Sequence, residues 1–138
     1  MVLPSKIKAN LPIQSGNSIV VSRGFENCIV LRPQSEFLKI LQKLKGLNQF
    51  DPRARNFQRK MLSGSTDLEL DGNGRFLIPK TMMSYAKLQD TAIIVGLGDR
   101  VEIWNPTEYE AFMSSDPEDF ADMAREMFSD QNESDAQE

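Results

Sequence analysis

The sequence contains no histidine and a single cysteine, Cys28. An internal disulfide is therefore excluded, and so are a zinc-ligand set and a Cys/His nucleophile pair. Cys28 opens the strand-like run Cys28–Arg32 and reads as a small core residue, which fits a reducing cytoplasm. Long apolar runs are missing too. Segments such as Ala92–Leu97 reach only about six residues, far short of the ~20 needed to span a bilayer. Met1–Leu11 holds no apolar core of the kind a secretory signal needs. What is present is 138 residues, 40% hydrophobic and 26% charged. That is the composition of a soluble globular chain of one ordinary domain or two very small ones.

The net charge of −4 hides an asymmetry. Residues 1–60 hold 11 Lys/Arg against 3 Asp/Glu, whereas residues 61–138 hold 5 against 17. An acidic total argues against a long basic nucleic-acid groove on one copy. It leaves room for a localised basic face, because steering follows local potential. Pairing of the basic half with the acidic half is the other reading.

The chain repeats itself. Met1-Val2-Leu3-Pro4 matches Phe76-Leu77-Ile78-Pro79 at an offset of 75. Cys28-Ile29-Val30-Leu31 and Ser35-Glu36-Phe37 match Arg100-Val101-Glu102-Ile103 and Thr107-Glu108-Tyr109 at an offset of 72. Two copies of one unit thus fill most of the length. Three hairpins are predicted, each with glycine in its turn. They join Ile19–Val21 to Cys28–Arg32, Asp67–Leu70 to Arg75–Ile78, and Thr91–Val95 to Arg100–Trp104. Helices are predicted from a Ser35 cap to Lys45, from the Asp51-Pro52 start to Leu62, from Pro79 to Lys87, from a Thr107 cap to Met113, and from Asp116-Pro117 onward. The last carries Phe120, Met123, Ala124, Met127 and Phe128 on one stripe. Together with Trp104, Tyr109 and Phe112, that stripe reads as core and subunit packing. The organisation is a first repeat over 1–50 without its opening strand, a linking basic helix over 51–66, a second repeat over 67–128, and a disordered acidic tail over 129–138. Strands this short make a poor sheet alone, so the two units must share one barrel-like core.

Asp71-Gly72-Asn73-Gly74-Arg75 carries the sharpest chemistry. Gly72 and Gly74 permit backbone angles closed to other residues and allow close approach of a phosphate backbone. Arg75 leaves the turn with a planar fork that can grip a phosphate, or O6 and N7 of a guanine. Asp71 can hold that guanidinium or cap the turn. A turn with an ordinary surface ion pair is the alternative. Arg53, Arg55, Arg59 and Lys60 make a basic helix that could meet phosphates, or else form a solvated face or a subunit contact. An EF-hand-like opening at Glu69 fails, with Leu77 and Lys80 at its ninth and twelfth positions. Gly96-x-Gly98 has Val101 in place of the third glycine of a dinucleotide fingerprint. Asp67 and Glu69 alternate as on a solvated strand face. Catalysis and cofactors are not expected.

Asp71 through Pro79 resembles the Asp-x-x-x-Arg signature of the MraZ transcriptional regulators, part of the AbrB-like swapped-hairpin superfamily. Val95–Trp104 and the Cys28–Leu31 strand running into a helix support the resemblance, which covers about residues 1–128. It implies an α+β fold, a double-split β-barrel of two AbrB-like halves with flanking short helices, and a ring-shaped homo-oligomer. It implies sequence-specific binding of double-stranded DNA at short repeated elements ahead of the division and cell-wall gene cluster, usually as a repressor, in the cytoplasm and at the nucleoid. Its DNA-facing residues here would be Arg75 with Asp71 and Gly74, and Lys6 and Lys8 on phosphates; repeat 2 has Thr81 and Met83 in place of those lysines. The family carries its motif twice. By the 75-residue offset the first motif arginine would stand one position before Met1. A misassigned start, a trimmed chain and a true loss all fit that placement. A non-catalytic assembly module that reads no DNA is the competing function.

Overall fold

Strands β1 (Ser18–Arg23) and β2 (Ile29–Pro33) form the first hairpin, with registered pairs from Ile19–Pro33 to Arg23–Ile29. The computed structural model describes residues 18–70, 75–115 and 118–136. After β2 come helices α1 (Gln34–Lys45) and α2 (Pro52–Leu62), then strand β3 (Thr66–Glu69) and the short helix α3 (Lys80–Tyr85). Strands β4 (Ile93–Gly96) and β5 (Val101–Trp104) make the second hairpin. Helices α4 (Pro106–Ser115) and α5 (Phe120–Ala136) follow. All five strands join one antiparallel sheet in the order β3-β1-β2-β5-β4. The chain through Glu108 is one compact unit, and Tyr109–Glu138 is a second.

The two hairpins meet edge to edge through β2 and β5. Ile29 lies opposite Ile103, Val30 opposite Glu102, and Leu31 opposite Val101. Under the 72-residue offset Val30 and Glu102 are equivalent positions, so the seam has an approximate two-fold axis at that pair. The second hairpin turns through residues 97–100, one residue fewer than 24–28 in the first.

Side chains alternate across this sheet, and both faces of β1 are covered. Ile19, Val21, Ile29, Leu31, Val101 and Ile103 point into the main core beside Phe76, Ile78 and Met82. Val20 faces the other way, into a second cluster with Phe37, Leu44 and Met61 from α1 and α2. Burying each such side chain is worth roughly 1.5–3 kcal/mol, so α1 and α2 are held mainly by this apolar stripe. Gln58 Nε2 adds a bond to the Leu44 carbonyl at 2.6 Å. Asp51 caps α2 as its sequence predicts, Oδ1 accepting from Arg53 N–H at 2.9 Å with proline at the next position.

Several boundaries differ from the sequence expectation. α1 begins at Gln34 behind Pro33, and no side chain caps it; Ser35 lies inside the first turn. α4 is capped by Asn105, whose Oδ1 accepts from the Thr107 and Glu108 amides at 2.8 and 3.1 Å, so Thr107 is inside the helix. Asp119 Oδ1 accepts from Ala121 N–H at 3.0 Å at the start of α5; Asp116 and Pro117 lie outside the described residues. α5 runs to Ala136, where a disordered tail from Ser129 was expected. Residues 71–74, the turn of the hairpin predicted between Asp67–Leu70 and Arg75–Ile78, lie outside the described residues. β3 pairs with β1, Ser18 opposite Glu69 and Val21 opposite Thr66, and Arg75 makes an isolated bridge ahead of strand-free residues 76–79.

Trp104 is buried as expected, but Phe112, Met113, Phe120, Met127 and Phe128 are exposed, Phe120 to 84%. On the same stripe Met123 and Ala124 are half-buried. No helix among the described residues is long and apolar enough to cross a membrane.

Candidate nucleic-acid interface

Arg75 is exposed, while its neighbours Phe76 and Ile78 are buried at 6% and 7%. Alternation does this: two apolar side chains anchor the segment in the main core, and the residues that alternate with them, Arg75 and Leu77, face outward. On β3 the exposed Asp67 and Glu69 alternate with the partly buried Thr66 and Leu68, as on a solvated strand face. Asp71, Gly74, Lys6 and Lys8 lie outside the described residues. The basic helix α2 shows Arg53, Arg59 and Lys60 to solvent. Arg55 is half-buried, its Nη1 donating to the Gln49 carbonyl at 2.9 Å just ahead of the helix.

A second charged group sits on the sheet face away from the main core. Arg32 is buried, and its Nη1 donates to Ser22 Oγ at 3.1 Å. Burial, followed by the nearby Arg100 charge, lowers its pKa. Cys28 lies beside Glu26 and Glu102, their donor atoms within 4.8 Å of one another. Burial first, then the Glu102 and Glu26 carboxylates, push the Cys28 thiol up to about 12. Raised this far, the thiol stays protonated at neutral pH and is a poor nucleophile. Glu102 also accepts from Trp104 Nε1 at 3.1 Å. These groups order the sheet seam, and no reaction geometry emerges from them.

One further group carries no sequence motif. Arg23, Phe25, Phe57, Lys60 and Tyr85 line a cleft of about 320 Å³ beside the 24–28 turn. The available signal was an aromatic residue next to a turn glycine, Gly24-Phe25, an uncommon place for a large apolar side chain unless it contacts something.

The family model described as MraZ protein, antitoxin-like, matches residues 1–60 and, a second time, residues 61–131. The chain belongs to the MraZ family. Among its relatives, the transcriptional regulator MraZ of Cytophaga hutchinsonii is 49% identical over 124 residues, 90% of this chain and 82% of that protein. The protein of the same name from Bifidobacterium longum is 33% identical, again over 90% of this chain and 80% of its own length. That of Christiangramia forsetii is 32% identical over 92% and 83%. The double match of the MraZ model agrees with the internal repetition, and the sheet joins one hairpin from each matched region through the β2–β5 seam.

Proposed function

We propose that this chain is a sequence-specific DNA-binding transcriptional regulator, acting without catalysis. It would read short repeated operator elements as an oligomer and repress the division and cell-wall gene cluster. Its relatives carry the name of transcriptional regulator. The observation that carries the reading is the outward placement of Arg75 directly ahead of two core-anchored residues. A planar guanidinium held that way can reach a guanine edge or a phosphate. One bidentate base contact supplies only about 1–3 kcal/mol of discrimination. Useful specificity then requires several copies on one DNA, which a ring of subunits facing tandem operator repeats supplies. In this reading Asp71 orients Arg75, Gly74 lets the backbone approach, and Lys6 and Lys8 contact phosphates. The two halves close into a double-split barrel, and the protein works in the cytoplasm at the nucleoid.

A gel-shift titration with the gene's own upstream region tests this, with light scattering on the same samples. Arg75→Glu should abolish binding to the repeats and leave the oligomer intact. Retention of wild-type binding by that variant removes Arg75 from the account. An oligomer that binds no upstream DNA at all, in wild-type form, favours the assembly-module reading instead.

A further inference from the structure

The cleft beside the first turn has the chemistry of a ligand site. Arg23 lies at the end of β1, its guanidinium carbon 4.9 Å from the centroid of the Tyr85 ring. That ring is itself fixed, because Tyr85 O–H donates toward the Gly24 and Glu26 carbonyls at 3.2 and 3.4 Å. Arg23 is thus held in place by a cation–π contact, yet its buried Nε has no hydrogen-bond partner among the described residues. A buried donor left unpaired is costly and calls for an acceptor. Lys60, exposed on α2, adds a second cation to the same cleft.

The opposite wall is aromatic. Phe25 and Phe57 stack with ring centroids 6.5 Å apart and an interplanar angle of 22°. Both are exposed, at 73% and 44%. Two solvated phenyl faces beside two cations form a platform for a planar ring joined to an anionic group. The turn beneath is rigid: Gly24 N–H donates to the Cys28 carbonyl at 2.8 Å, and a β-carbon on Gly24 would collide with Cys28 Sγ. The volume, about 320 Å³, is at the small end for ligand sites, which start near ~300 Å³. It suits one nucleotide unit.

We propose that this cleft binds a nucleobase bearing a phosphate, the base stacked on Phe25 and Phe57 and the phosphate taken by Arg23 and Lys60. Stacking on a phenyl face tolerates any base, so the site selects for base plus phosphate more than for base identity. The unit could arrive as a free mononucleotide or as an unpaired nucleotide of a strand, and both present the same chemistry.

Calorimetric titration of the full chain tests this, using AMP, GMP, CMP and UMP, inorganic phosphate, and a four-nucleotide single strand as probes. Mononucleotides should bind at least about tenfold more tightly than phosphate alone. Phe25→Ala, at an exposed turn position, should weaken them by about tenfold. Lys60→Ala should weaken them and flatten the salt dependence. Arg75→Glu should leave nucleotide binding unchanged, which separates this site from operator recognition. A mononucleotide that binds as tightly as the tetranucleotide identifies a free effector; a much tighter tetranucleotide identifies a strand. Failure of every probe at millimolar concentration overturns the proposal. So does equal affinity for phosphate and nucleotide. A Phe25→Ala variant that changes the oligomer's mass while binding nucleotide normally also overturns it, because the aromatic pair would then be a contact between copies.

Discussion

Val30 and Glu102 face each other across the β2–β5 seam, one from each copy of the repeat and at equivalent positions in the two. Each neighbour of Val30 therefore pairs with the counterpart of the other. The repeat thus reaches beyond the sequence, because the two copies complete one sheet along an approximate two-fold axis. Valine on one side and glutamate on the other also shows where the copies have diverged. Glu102 serves Trp104 and sits beside Cys28, tasks that Val30 does not share.

Cutting the seam should unfold both hairpins together. Ile29 and Ile103 are fully buried cross-strand partners. Ile29→Ala or Ile103→Ala should each cost about 2–5 kcal/mol. The double variant should depart from additivity by about 0.5–3 kcal/mol, because the two side chains touch one core. Urea unfolding followed by Trp104 fluorescence and by circular dichroism checks this. Two separate transitions in the wild type would show that the hairpins fold independently.

Alkaline pH should destabilise the fold through Cys28. Its ordinary thiol value of 9.0 is raised to about 12 by burial and by Glu102 and Glu26. A folded value above the unfolded one means that the stabilisation is complete below pH 9 and is lost as pH rises toward 12. The amount is at most about 4 kcal/mol. Denaturation of wild type and Cys28→Ala between pH 7 and 11 should show the wild type falling more steeply above pH 9. Parallel curves would show that the thiol ionises alike in the folded and unfolded states. The native thiol should also resist alkylation at pH 8.

Gly24→Ala should be destabilising although the residue lies in a turn. A β-carbon there would strike Cys28 Sγ and come within 3.0 Å of the Cys28 carbonyl. Backbone cannot give way cheaply, so about 1–3 kcal/mol is expected from overpacking. A thermal melt of the variant decides. An unchanged midpoint would mean that the turn has room to shift.

Asp51→Ala should weaken α2 by about 0.5–2 kcal/mol through loss of the bond to Arg53 N–H. Asp51→Asn should recover most of it, since the amide oxygen accepts equally well. Equal losses in the two variants would assign the effect to charge at the helix start and not to capping.

Much of the secondary structure was legible in the residues because its causes are local. Asp51-Pro52 is a cap followed by a compatible ring. Gly24 and the Gly96–Gly98 turn permit reversals between β-branched runs. Phe37 and Leu44 lie on one side of α1. The caps at Asn105 and Asp119 were missed because neighbouring Thr107 and Asp116 have the same capping chemistry; the place where the chain leaves β5 or turns into α5 chooses between them.

Sequence alone determined the duplication, legible as matching residues at a fixed offset, and the two outer hairpins, each of which rests on residues within a few positions of one another. Tertiary structure alone decided that β3 joins β1, that the hairpins share a seam at Val30 and Glu102, that Arg32 is buried against Ser22, and that Arg23, Phe25, Phe57 and Tyr85 surround one cleft. Those outcomes depend on which distant edges meet when both apolar faces of the sheet are covered, and a free strand edge carries no mark of its eventual partner.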